Sequence, residues 1–124
     1  MILVDTSVWI DHFREPDSLL SELIEDQRVL IHPLVIGELA MGDLTPRDAT
    51  LHRLSRLEPA YMARHADVLR LVQTQRLFAI GLGFVDAHLL ASARITPDSS
   101  LWTRDKRLGA AAERLDLAAD LQGS

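Results

Sequence analysis

Four acidic residues stand where acids are out of place, and their type and surroundings narrow the chemistry open to the chain. Asp5 directly follows the apolar run Ile2–Val4 in LVDTSVWIDHF, residues 3–13. Glu38 is the only carboxylate in HPLVIGELAMG, residues 32–42, a segment that is otherwise apolar around its helical circumference and is expected to be buried. Asp86 opens a nearly all-apolar helical segment in GFVDAHLLASA, residues 83–93, and Asp105 follows the apolar start of SLWTRDKRLG, residues 100–109. Each acid has a plainer explanation on its own. Asp5, Asp86 and Asp105 are of a type that caps helix N-termini, and Glu38 could reach solvent or pair with an arginine, because an unpaired buried carboxylate is too costly to keep ionised. A single site accounts for all four together. Oxygen donors without cysteine or a paired-histidine spacing suit Mg²⁺ or Mn²⁺, which bind a few carboxylates and keep waters that a phosphate can displace. Such ions polarise a phosphoryl oxygen and activate water, so phosphodiester hydrolysis is the reaction that fits.

The elements that must position these acids alternate along the chain. Residues 2–4 read as a short buried strand, 7–13 and 18–26 as helices, and 28–31 as a second buried strand. Pro33 suits the first turn of a helix running to about Met41, and 45–57, 61–77 and 84–94 carry amphipathic or apolar helical patterns. Residues 100–103 read as a strand and 106–114 as a helix, followed by a short last strand near 115–117. A third strand falls around Leu57–Tyr61, which is neither β-branched nor clearly extended. The alternation predicts one α/β domain over residues 1–124, a central parallel β-sheet with helices on both faces. In such sheets ligands bind beyond the carboxyl ends of the strands, where Asp5 and Asp105 would lie.

Composition excludes several other chemistries. The chain has no cysteine, so disulfides, thiolate metal sites and cysteine nucleophiles are absent. Its first residues lack a basic flank and its apolar runs stop far short of the ~20 residues of a membrane span, which predicts a soluble, cytoplasmic protein. A net charge of -5 speaks against a broad basic nucleic-acid surface, but if four acids ligate metal, the remainder carries only -5 + 4 = -1. The five histidines show no metal-binding spacing, and His88 reads as a core residue. Gly81 and Gly83 form no dinucleotide fingerprint and read as a turn before the Asp86 helix, while Trp9 and Phe13 read as packing rather than base-stacking residues.

The order LVDTSVWI, GEL, FVDAHLLASA and WTRDKRL resembles the PIN-domain nucleases, specifically the VapC-type toxins of bacterial toxin–antitoxin pairs, over residues 2 to about 117. The resemblance implies a PIN fold in which Asp5, Glu38, Asp86 and Asp105 gather at the carboxyl edge of the sheet and hold Mg²⁺ or Mn²⁺ for endoribonuclease cleavage. It also implies accessory hydroxyls at Thr6 or Ser7 and at Thr103, no further cofactor, and a cognate VapB-like, DNA-binding antitoxin. Arg14, Arg104, Lys106 and Arg107 could contact RNA phosphates, or could be solvated charges on helix ends. The excess of apolar residues among Trp9, Phe13, Leu19, Leu23, Leu34, Leu39, Met41, Leu69 and Leu77 predicts exposed patches for a homodimer and for an antitoxin helix. Two rivals stand beside this reading. A phosphoacceptor receiver would need an acceptor aspartate at the end of a mid-chain strand, whereas Glu38 and Asp86 lie in apolar helical segments; an inert PIN-fold partner-binding domain would share the fold without cleaving RNA.

Overall fold

Ile2–Val4 forms β1 with all three residues buried, and because successive strand residues point to opposite faces, both faces of this strand must be covered. A computed structural model describes residues 1–121 and shows why. β1 is followed by α1 (Thr6–Arg14), α2 (Ser18–Glu25), β2 (Val29–Ile31), α3 (Pro33–Ala40), α4 (Arg47–Ser55) and β3 (Glu58–Pro59). The chain continues through α5 (His65–Thr74), α6 (Phe84–Ile95), β4 (Ser100–Trp102) and α7 (Lys106–Arg114). The four strands form one all-parallel sheet in the order β3-β2-β1-β4. β1 pairs with β2 through Ile2 opposite Val29, and with β4 through Val4 opposite Trp102. Parallel neighbours cannot be joined by a tight turn, so helices supply each crossover. Leu3, Val4, Val8, Leu20, Val35, Val68, Leu89, Leu90 and Leu108 are fully enclosed where these helices meet the sheet.

The α/β reading and most element positions match the sequence analysis; the departures have identifiable causes. The third strand is only two residues long and occupies the sheet edge, where Pro59 can pair with Ile31 without supplying an N–H to a further neighbour. The helix expected from Tyr61 starts at His65 instead. Ala60 donates its N–H to the Ile31 carbonyl at 2.9 Å and Tyr61 donates to Thr96 Oγ1 at 2.9 Å, so the chain leaves the sheet extended. The expected last strand near 115–117 reduces to a single parallel bridge between Leu101 and Ala118. The α3 segment is not buried all round: Val35 and Leu39 are enclosed, whereas Gly37 and Glu38 are exposed and Met41 is 88% exposed. Packing against α1 and α4 covers only part of its circumference.

Three helices end in one way that glycine content does not reveal. Gln27, Arg76 and Asp116 take positive φ just past α2, α5 and α7, and the N–H of each following residue closes the last turn: Arg28 to Leu23, Leu77 to Val72, Leu117 to Ala112. Leu77 is buried by this closure, so its apolar contact sets the stop in place of a glycine.

His32 marks the start of α3. Its Nδ1 accepts the Leu34 N–H at 3.0 Å, so the ring must be neutral with its proton on Nε2, and that buried atom has no partner among the described residues. Burial first, and then the neighbouring His88, lower its pKa to about 4. The unfolded chain therefore binds a proton between pH 6.5 and 4 that the folded chain refuses, and stability falls as pH drops through that window. His32→Asn keeps a capping oxygen and should flatten the decline in melting temperature between pH 6.5 and 4.5, measured by circular dichroism against wild type.

Candidate functional site

In the sheet order β3-β2-β1-β4, the chain first winds from β1 outward to β3 and then returns to add β4 on the other side of β1. The crevice at the carboxyl ends of β1 and β4 is therefore the topological switch point, where open parallel sheets bind ligands. Asp5 follows β1 and Asp105 lies three residues beyond β4. The Asp5 N–H extends the ladder by donating to the Trp102 carbonyl at 2.9 Å, which brings the two turns together. Asp5 is 6% exposed. Its Oδ2 accepts from Ser7 N at 3.4 Å, Ser7 Oγ at 2.7 Å and Thr103 Oγ1 at 2.7 Å. Thr103 Oγ1 in turn accepts the Asp105 N–H at 3.0 Å. α3 brings Glu38, whose Oε1 accepts from Thr6 Oγ1 at 2.6 Å, and α6 brings Asp86, whose Oδ2 accepts the Gly83 N–H at 3.0 Å.

Capping and clustering occur together. Asp5 caps α1 and Asp105 Oδ1 caps α7 through the Leu108 N–H at 2.9 Å, while Asp86 closes the first turn of α6. Among the described residues, every hydrogen bond to these four acids falls on one oxygen of each carboxylate, so Asp5 Oδ1, Glu38 Oε2, Asp86 Oδ1 and Asp105 Oδ2 carry none. Burial raises the pKa of Asp86; the Gly83 N–H opposes this, and the charges of Asp5, Asp105 and Glu38 add to the rise. All three other acids thus act on it electrostatically. Among the described residues no three carboxylate or imidazole groups are already spaced to hold one ion. That agrees with like charges standing apart, and Mg²⁺ in particular uses one or two protein carboxylates and fills its octahedron with water. The donor set, all oxygen and each with an oxygen to spare, fits such an ion.

The hydroxyls named from the sequence are all at this crevice: Thr6 on Glu38, and Ser7 and Thr103 on Asp5. The basic residues divide. Arg104 is committed to ion pairs, with Nη1 2.7 Å from Asp11 Oδ2 and Nη2 2.6 Å from Asp17 Oδ2. Arg14, Lys106 and Arg107 are exposed and carry no ion pair among the described residues. Arg107 lies against Gly81, whose φ of +88° favours glycine; a Cβ there would fall 2.6 Å from Nη1 and the exposed arginine would have to shift. His88 is buried as expected, but its Nδ1 has no partner among the described residues, and its ring packs edge-on with Phe84 at 4.9 Å between centroids. Sequence reasoning missed Asp11 and Asp17, whose partner is more than eighty residues away and leaves no local signal.

A groove of about 850 Å³ lies apart from the acids, and none of the four lines it. Trp9, Phe13, Ile24, Leu44, Leu54 and Leu57 give it an apolar floor, and His12, His52, Arg53 and Arg56 add polar and charged groups.

A family model described as PIN domain matches residues 2–114, the span that contains all four acids. The chain belongs to the PIN-domain family. It is 50% identical over 118 residues to proteins named Ribonuclease VapC32 in two strains of Mycobacterium tuberculosis, covering 95% of this chain and 95% of each relative. No solved structure matches at comparable stringency. The strand order and the acid-lined switch point of this PIN domain are thus accompanied by close similarity along almost its full length to a protein named as a ribonuclease.

Because folding forces Asp86 close to three other acids, its charge works against stability when no cation is supplied. Asp86→Asn should raise the melting temperature in EDTA and abolish most of the further rise that Mn²⁺ produces in wild type, both read by differential scanning fluorimetry.

Proposed function

We propose that this PIN domain, taken as a single unit over residues 1–124, is a Mg²⁺- or Mn²⁺-dependent endoribonuclease. It acts as the toxin of a toxin–antitoxin pair, cutting RNA phosphodiester bonds in the cytoplasm and so arresting translation and growth. The observation that carries this reading is the convergence of Asp5, Glu38, Asp86 and Asp105 from four separate elements, each with one oxygen outside the local hydrogen-bond web. The similarity to Ribonuclease VapC32 supports it. A divalent ion held by these acids would polarise a phosphoryl oxygen and ease deprotonation of an attacking water. The remaining work falls to the chain. Ser7 and Thr103 hold Asp5 by one oxygen and present the other; Thr6 does the same for Glu38. Arg14, Lys106 and Arg107, unpaired and exposed, supply the cations for backbone phosphates, with Arg107 seated over Gly81.

Partner binding occupies other surfaces. The apolar groove floored by Trp9 and Phe13 receives an amphipathic helix of a VapB-like antitoxin. Leu69, Phe78, Ile80, Phe84 and Ile95, all substantially exposed on or near α5 and α6, form the contact of a homodimer. Among the described residues no helix is long and apolar enough to cross a membrane. An inert partner-binding domain would keep the groove and lose only the chemistry, so the decisive assay is cleavage itself.

Purified protein with Mn²⁺ should cut RNA, EDTA should stop it, and Asp5→Asn should lower the rate at least about a hundredfold while leaving the far-UV circular dichroism unchanged. Wild-type rates in Asp5→Asn, or undiminished cutting in EDTA, would refute the metal-site reading. Phe13→Ala, which removes a ring that is 39% exposed in the groove, should weaken antitoxin binding measured by calorimetry without slowing RNA cleavage.

A further inference from the structure

Arg104 lies between the hydroxyl and the acid that the β4–α7 turn contributes, yet its guanidinium points its charge elsewhere. Nη1 donates to Asp11 near the end of α1, and Nη2 donates to Asp17, the N-cap of α2. The guanidinium carbon stands 5.7 Å from the centre of the Trp102 ring, and the side chain is 36% exposed. Asp17 divides its carboxylate: Oδ1 accepts the Leu20 N–H at 3.0 Å and Oδ2 holds Arg104, while its own N–H donates to His12 Nδ1 at 2.9 Å. The backbone of the turn is fixed from the opposite side. The Arg104 N–H donates to Ser7 Oγ at 3.0 Å, and that hydroxyl donates to Asp5 Oδ2 at 2.7 Å. Residues 103–105 are therefore held from within by the web around Asp5 and from without by the corner between α1 and α2.

We infer that Arg104 is a positioning residue: by bridging Asp11 and Asp17 it fixes the Thr103–Asp105 turn against α1 and so sets where Asp105 stands relative to Asp5. This rests on the reading of the four acids as a divalent-cation site. Two charge-assisted bonds already occupy the fork of the guanidinium, and a phosphate would have to displace both carboxylates to reach it. Lysine, a compact point charge, does not reproduce the planar fork that reaches two carboxylates on different helices. The sequence offers Arg104, Lys106 and Arg107 as equivalent cations; the structure assigns Arg104 a different task.

The test compares the full chain as wild type, Arg104→Met, the double variant Asp11→Asn with Asp17→Asn, and all three changes together. Asparagine retains the α2 cap while removing the charges that hold the arginine. Mn²⁺ affinity is read by calorimetry, kcat and KM by RNA cleavage, and the salt dependence of RNA binding in EDTA. Positioning predicts that Arg104→Met and the double variant each lose about tenfold or more in Mn²⁺ affinity and in kcat. KM and the salt slope should hold, and the combined variant should be no worse than either, because all break one clamp. A salt slope reduced by about one in Arg104→Met, with the double variant cleaving as well as wild type, would show a phosphate contact and overturn the inference. So would variants that lose only melting temperature, with Mn²⁺ affinity and kcat unchanged. Wild type that neither binds Mn²⁺ nor cleaves RNA would overturn the reading of the acids and this inference with it; active wild type with unaffected variants overturns the inference alone.

Discussion

The parallel pairing of β1 with β4 is the constraint on which the site depends. Val4 opposite Trp102, continued by the Asp5 N–H to the Trp102 carbonyl, sets the first residue after one strand beside the first residue after the other. The contact between Thr103 Oγ1 and Asp5 Oδ2 follows from that register. A slip of one residue would turn Leu3 and Val4 to the wrong faces of a sheet covered on both sides, so the core of the domain enforces the alignment of the acids. Hydrophobic burial and site geometry are in this sense one requirement: the same three residues of β1 that fill the core also aim Asp5.

Local folding engages the carboxylates without exhausting them. Asp5, Asp86 and Asp105 each satisfy free N–H groups at the start of a helix with one oxygen, and their charges are favoured there by the helix dipole. The cost appears between them, where burial and like charge raise the pKa of Asp86. Three helix N-termini aimed at a common crevice carry Asp5, Asp86 and Asp105, each with a local N–H partner, whereas Glu38 comes from within α3 and is held by Thr6. Capping therefore does not use up these side chains: it engages one oxygen of each of the three aspartates and leaves the other outside the local hydrogen bonds.

The acid-lined crevice and the apolar groove are separate yet joined mechanically. Asp5 and Asp105 follow strand ends and Glu38 and Asp86 lie on α3 and α6, while the apolar groove runs beside α1, α2 and α4. His12 lines that groove and accepts the Asp17 N–H, and Asp17 holds Arg104 beside Asp105. A continuous set of bonds thus links the α1–α2 corner to the turn that carries an acid.

The sequence by itself determined the α/β alternation, the parallel architecture in outline and the candidate acids, because each rests on a local pattern. Buried strands are short continuous apolar runs, helices show a period of 3.6, and a lone carboxylate in an apolar context is visible without coordinates. The resemblance of the ordered motifs to PIN domains added the family. What the sequence left undetermined depends on distant partners. β3 exists because Ile31 is there to pair with Pro59, not because residues 58–59 prefer to be extended. The exposure of Glu38 follows from α3 meeting neighbours over only part of its surface, which apolar composition alone does not reveal. Helix ends at Gln27, Arg76 and Asp116 carry no glycine, since the following residue's backbone bond and packing supply the stop. The separation of Arg104 from the exposed basic residues is the clearest case. Composition gives every arginine the same charge, and only the folded chain, by bringing Asp11 and Asp17 within 2.7 and 2.6 Å, decides which cation is already taken.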